Sequence, residues 1–71
     1  MKEELTNRQY QIYSVIKKFI KENGYAPTIR EIGLMVGLKS TATIFDHLRR
    51  LRGKGYIEFE PKKSRTIKIK E

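Results

Sequence analysis

The residues with chemistry to offer fall in two clusters. The first reads Ser40-Thr41-Ala42-Thr43-Ile44-Phe45-Asp46-His47-Leu48-Arg49-Arg50. It begins with four small residues, three of them hydroxylic, and ends with two arginines. Small hydroxyl side chains let a backbone come close to a partner while still donating and accepting hydrogen bonds, and guanidinium groups match anionic oxygens. The second cluster, Pro61-Lys62-Lys63-Ser64-Arg65, packs three cations into five residues. Catalytic patterns are missing. There is no His-Glu-x-x-His, P-loop or Gly-x-Ser-x-Gly, and no close carboxylate pair beside a histidine. His47 is the single histidine and there is no cysteine. A lone imidazole makes a poor metal site, so His47 reads as a partly buried structural residue, and neither a metal nor a cofactor is expected. This chain is therefore expected not to be an enzyme.

The charge balance says what kind of partner such clusters would meet. Sixteen Lys and Arg against eight Asp and Glu give a net charge of +8 on 71 residues. The excess is uneven: residues 1–39 carry seven basic and four acidic side chains, and the shorter stretch 40–71 carries nine and four. A basic field of this strength attracts polyanions, nucleic acid first among them, although basic surfaces also serve solubility or meet acidic lipids. Apolar runs such as Ile32–Leu38 are too short to span a bilayer, and the N-terminus lacks a signal-peptide pattern. Together with the lack of cysteine this fits a cytoplasmic protein, associated with the nucleoid if it is bacterial, and no membrane partner is expected.

Three helical patterns and a strand pair must position the two clusters. Thr6-Asn7-Arg8-Gln9 spells a capping box, with Leu5 and Tyr10 placed for a hydrophobic staple. Ile12, Tyr13, Ile16, Phe19 and Ile20 follow at helical spacing, and Gly24 suits the helix end. Thr28 and Glu31 spell a second capping box before a short helix that ends at Gly37, in which Gly33 leaves room for a neighbouring helix. Only Gly37-Leu38-Lys39 separates that helix from the next, which is the turn length of a helix-turn-helix. Ser40 caps a third helix whose buried stripe is Ile44, Leu48 and Leu51. Its opposite side carries Ala42, Thr43, Asp46, Arg49 and Arg50, with Phe45 about a quarter turn from the core.

After Gly53-Lys54-Gly55 the period changes to two. Tyr56–Glu60 and Thr66–Lys70 read as strands with Ile57, Phe59, Ile67 and Ile69 on one face, joined by the basic loop. The fold class expected over residues 1–71 is mainly α with a C-terminal β-hairpin: a single three-helix winged helix-turn-helix domain.

That arrangement puts the third helix in the major groove of a duplex and the basic loop on the backbone or minor groove. Each assignment has a plainer competitor. Ser40 is only a helix cap, or caps the helix and also meets a phosphate or base. Thr41 and Thr43 either meet bases or are ordinary first-turn residues. Asp46 can accept from a cytosine amine but repels phosphate. Arg49 and Arg50 reach backbone or guanine, or form a solvated face. Phe45 packs against the first or second helix or touches thymine methyls. Lys62, Lys63 and Arg65 reach phosphate, or make a polar turn. Thr28, at the start of the second helix, is counted among the candidate contacts.

The residues also resemble a known family. Leu5-Thr6-Asn7-Arg8-Gln9, residues 24–32, Val36-Gly37-Leu38-Lys39-Ser40, His47-Leu48, Lys54-Gly55-Tyr56-Ile57 and residues 63–67 are similar, in order and spacing, to the N-terminal DNA-binding domain of LexA repressors. The resemblance implies a repressor of the DNA-damage (SOS) regulon that binds a palindromic operator as a dimer. It implies that the third helix, from about Ser40 to Arg50, reads bases, with Ser40, Ala42, Thr43, Phe45 and Asp46 at base-proximal positions. It departs from the family's usual residues at Ala42, where Asn or Ser is common, at Phe45, where a smaller or more polar residue is common, and at Ala26, which replaces a common proline. The first two departures bear on operator sequence and the third on loop stiffness. Family members also carry a self-cleaving Ser-Lys peptidase domain with the main dimer contacts, of which this sequence has no counterpart. The expectation is thus a fragment, monomeric alone and dimeric in the longer protein. The competing classes are a stand-alone regulator outside the SOS response, and a protein-interaction module with an apolar patch near Phe45 and Tyr25. RNA or single-strand binding would need free aromatics on an open sheet, where only Tyr56 is available.

Overall fold

A computed structural model describes residues 4–70. Three helices come first: α1 (Asn7–Asn23), α2 (Ile29–Val36) and α3 (Thr41–Gly53). A hairpin of β1 (Ile57–Glu58) and β2 (Lys68–Ile69) follows. The order and packing are those of a winged helix-turn-helix.

Each helix begins where its side chains can satisfy free amides. Thr6 accepts from the Gln9 amide while Gln9 accepts from the Thr6 amide, and Thr28 and Glu31 repeat the exchange at α2. Ser40 accepts from the Thr43 amide at 3.3 Å. The two capping boxes fix α1 and α2 at the residues their sequences predict.

The angle between α2 and α3 depends on two glycines. Gly37 holds φ at 75°, a left-handed conformation that lets the chain leave α2 sharply. At Gly33 a Cβ would lie 2.7 Å from the Leu38 carbonyl oxygen and 2.8 Å from Ile44 Cδ1. The two helices approach closely there because position 33 has no side chain.

Ile12 and Ile16 of α1, Ile32 of α2, Ile44, Leu48 and Leu51 of α3 and Ile57 of β1 are essentially inaccessible. Each such side chain contributes about 1.5–3 kcal/mol by leaving water. Phe59 and Ile67 bring the two arms of the hairpin into the same core.

The hairpin is paired over less of its length than the alternation in sequence suggests. Strands are expected over 56–60 and 66–70, but the ladder pairs only Ile57 with Ile69 and Glu58 with Lys68. Beyond Glu58 a side chain takes over from the backbone. The Thr66 hydroxyl accepts from the Glu60 amide at 2.8 Å and faces the Glu60 and Lys63 carbonyls at 3.2 and 3.3 Å. Period-two burial survives, because Phe59 and Ile67 still point inward, while the ladder bonds do not.

Candidate nucleic-acid interface

The exposed face of α3 begins at its first turn. Ser40, Thr41, Ala42 and Thr43 are all solvent-exposed, and Arg49 and Arg50 continue the same side. A helix with its side chains is about 10–12 Å across and the major groove of B-form DNA about 12 Å wide, so an N-terminal half built from such small residues can seat deeply.

An open groove of about 700 Å³ runs between the start of α2, the first half of α3 and the basic loop. Thr28, Thr41, Ala42, Phe45, Arg49, Lys62, Lys63 and Arg65 all line it. These residues come from three segments far apart in sequence. Ser40, Thr43, Asp46 and Arg50 lie outside the groove on the adjoining surface of α3.

Not every cation is available to a partner. Arg8 donates to Gln11 and to the Val36 carbonyl, near the end of α2. Arg52 lies over the Phe59 ring and donates to its carbonyl. Lys54 reaches the Glu4 carbonyl at 2.9 Å and Gln9 Oε1 at 2.7 Å, which explains how Gln9 can be buried. Lys62 and Lys63, by contrast, are exposed and form no side-chain hydrogen bond or ion pair among the described residues.

Arg65 is held most firmly. Its Nη1 donates to the Ala26 carbonyl at 3.0 Å and to Glu31 Oε1 at 2.9 Å, and its Nη2 donates to Glu31 Oε2 at 3.1 Å. The guanidinium also lies 4.9 Å from the centre of the Tyr25 ring. The hydrogen bond from Arg65, then the Thr28 amide, holds the Glu31 carboxyl below its ordinary pKa.

Asp46 sits between two of the α3 arginines. It accepts from Arg50 Nε at 3.0 Å and lies 3.6 Å from Arg49. The Arg50 hydrogen bond lowers its pKa, and about half of its side chain stays exposed. Phe45 is half-buried, edge-on to Phe59 at 5.7 Å, with Arg49 5.8 Å from its ring centre. Its ring packs on Phe59 of the hairpin and not on the first or second helix as the packing reading expects, and it also lines the groove. His47 is half-buried, and its Nδ1 is enclosed without a hydrogen-bond partner. No cluster of metal-ligating side chains occurs among the described residues.

Two cations at this surface escaped the reading of the sequence. Arg30 lines the groove beside Thr28, and together with Lys39 it flanks a second cleft that reaches Thr41. The signal was present. A cation in the first turn of α2 or just before α3 opposes the helix dipole, so no local structural gain accounts for it.

The apolar patch expected around Phe45 and Tyr25 under the protein-interaction reading is not formed as a unit. Phe45 packs against Phe59, and Tyr25 is edge-on to Phe19 and carries Arg65. Tyr56 is half-buried, edge-on to Tyr13 at 5.2 Å. Among the described residues no helix is long and apolar enough to cross a membrane.

Comparison with known proteins agrees with this geometry. The family model of the LexA DNA binding domain matches residues 2–66. The LexA repressor of Caldicellulosiruptor saccharolyticus is 54% identical over 69 residues, covering 97% of this chain and 34% of that protein. The LexA repressors of Staphylococcus epidermidis and Staphylococcus aureus (strain Newman) are each 53% identical over 66 residues, covering 93% of this chain and 32% of theirs. The chain thus spans about a third of the length of the curated relatives it matches. With three capped helices, a wing and a groove rimmed by free lysines, the chain belongs to the LexA DNA-binding domain family.

Proposed function

We propose that this chain binds double-stranded DNA with α3 in the major groove and the loop between the strands on the backbone or minor groove. In this reading it is the operator-reading part of a transcriptional repressor of the DNA-damage (SOS) response. One observation carries the reading: the exposed Thr41 and Ala42 in the first turn of α3 and the unpaired Lys62 and Lys63 border one groove. A base-reading helix and phosphate-seeking cations are what direct readout requires side by side.

Ser40, Thr41, Ala42 and Thr43 then approach base edges. Thr43 offers a hydroxyl or a methyl to thymine, and Phe45 reaches thymine methyls from the edge of the groove. Asp46 accepts from a cytosine amine, while its carboxylate masks part of the charge with which Arg49 and Arg50 meet the backbone. Thr28 and Arg30 meet a phosphate on one side of the groove, and Lys62 and Lys63 meet another across it. Two copies occupy a palindromic operator, each on one half-site, in the cytoplasm of a bacterium at its nucleoid.

Selection of bound duplexes from a random pool at near-physiological salt tests the proposal. Enrichment of a half-site repeated in inverted orientation at fixed spacing supports it. A pool that stays random leaves only nonspecific attraction.

A further inference from the structure

The hairpin cannot orient its own tip. Two paired positions are a short ladder, and an isolated two-stranded hairpin is marginal in water. Nine residues, 59–67, separate the strands. Phe59 and Ile67 anchor the base of this segment in the core, and Thr66 ties its two arms together. None of these contacts fixes where Lys62 and Lys63 stand relative to α2 and α3.

Arg65 supplies that contact. It adopts φ of 56°, in the left-handed region, and from there its guanidinium crosses to the start of α2 and the segment just before it. There it makes a two-pronged bond to Glu31, a third bond to Ala26 and a stack on Tyr25. Exposed ion pairs are usually weak, but a forked bond stacked on an aromatic ring fixes direction as well as distance. Glu31 serves two partners at once, since the same Oε1 that meets Arg65 also accepts from the Thr28 amide. One carboxylate thus ties the wing to the start of the helix that carries α3.

We infer that Arg65 and Glu31 form a brace that sets the reach of the wing, so that Arg65 is a positioning residue for Lys62 and Lys63 and holds no phosphate itself. The inference rests on the duplex-binding reading for its consequence and on the free protein for its geometry.

Glu31→Gln separates the brace from a direct Arg65–phosphate contact by sign. Gln keeps an oxygen for the Thr28 amide and loses the charged fork. If Arg65 met phosphate directly, removing the carboxylate would free the guanidinium, lessen repulsion and tighten duplex binding. A loosened wing weakens it instead. The experiment combines trypsin cleavage after Lys62 and Lys63 in the free protein with duplex affinity across a salt series, for the wild-type chain, Glu31→Gln and Arg65→Lys. Arg65→Lys keeps the charge but not the fork, and thermal melting verifies that each variant folds.

The brace predicts cleavage at least about threefold faster in both variants. It also predicts weaker binding and a salt slope shallower by up to about two units, one for each lysine that no longer reaches a phosphate. Cleavage at the wild-type rate overturns the inference, and so does tighter duplex binding by Glu31→Gln. Faster cleavage in a chain whose wild type shows no salt-dependent duplex binding supports the brace and removes the duplex-binding reading instead.

Discussion

Replacing Gly33 with alanine tests whether the helix-turn-helix angle depends on a missing side chain. On propensity alone the change helps, because alanine in a helix is favoured over glycine by about 1 kcal/mol. The structure opposes it. The new Cβ would sit 2.7 Å from the Leu38 carbonyl oxygen, whereas ordinary contact begins at 3.4 Å, so something must move by about 0.7 Å. The Leu38 oxygen belongs to backbone that is itself pinned, since the Leu38 amide donates to the Gly33 carbonyl at 3.0 Å. The other neighbour, Ile44 Cδ1 at 2.8 Å, is fully enclosed in the core.

Overpacking costs about 1–3 kcal/mol, and a backbone obstacle puts this case toward the upper end. After the propensity gain the expected net loss is about 1–2 kcal/mol. In a domain of this size each kcal/mol lowers the melting temperature by about 4–8 °C. Thermal unfolding followed by circular dichroism reads the change directly. Gly53→Ala is the control: it also adds a Cβ in a helix, but nothing lies within 4 Å of it. Gly33→Ala should melt lower than wild type while Gly53→Ala does not. A melting temperature for Gly33→Ala at or above wild type would refute the close-approach argument. Duplex affinity should fall as well, measured where the variant is still folded, because α3 is displaced from the wing.

Ser40→Ala removes the α3 cap and should cost about 0.5–1 kcal/mol, toward the low end because the 3.3 Å bond is exposed; denaturant unfolding checks it. Asp46→Asn releases Arg49 and Arg50 from their shared acid and should tighten duplex binding overall with a steeper salt slope. Weaker binding at an unchanged slope would contradict the charge-masking role of Asp46. Glu31 has a lowered pKa in the folded chain, so its contribution is fully present above the ordinary carboxylate range and fades as pH falls through the lowered value. Amide exchange across Lys62–Thr66 should therefore gain relative to that in α1 on acidification, beyond the intrinsic pH effect on exchange, and an unchanged ratio would argue against it.

The local features of the fold were legible because their causes are local. Thr6 with Gln9 and Thr28 with Glu31 fix helix starts within four residues, and Ile44, Leu48 and Leu51 mark their own face. Gly33 announced a close approach but not its partners. The hairpin was over-read because alternation reports which face is buried, whereas ladder bonds depend on a partner strand. At Glu60 that partner is a threonine hydroxyl. The cations were the hardest to sort. Charge is visible in sequence, but its commitment is not: Arg65 meets Glu31 across 34 positions and Lys54 meets Gln9 across 45. Lys62 and Arg65, three apart in one loop, look alike in sequence and are occupied differently in space.

Amide and methyl chemical-shift mapping of the chain with a duplex carrying its selected half-site tests the whole account. Perturbation should concentrate at Ser40–Phe45, at Thr28–Arg30 and around Lys62–Lys63, leaving Tyr10, Lys17 and Lys21 of α1 unchanged. A duplex that shifts the α1 signals while the first turn of α3 and the wing stay in place would contradict it.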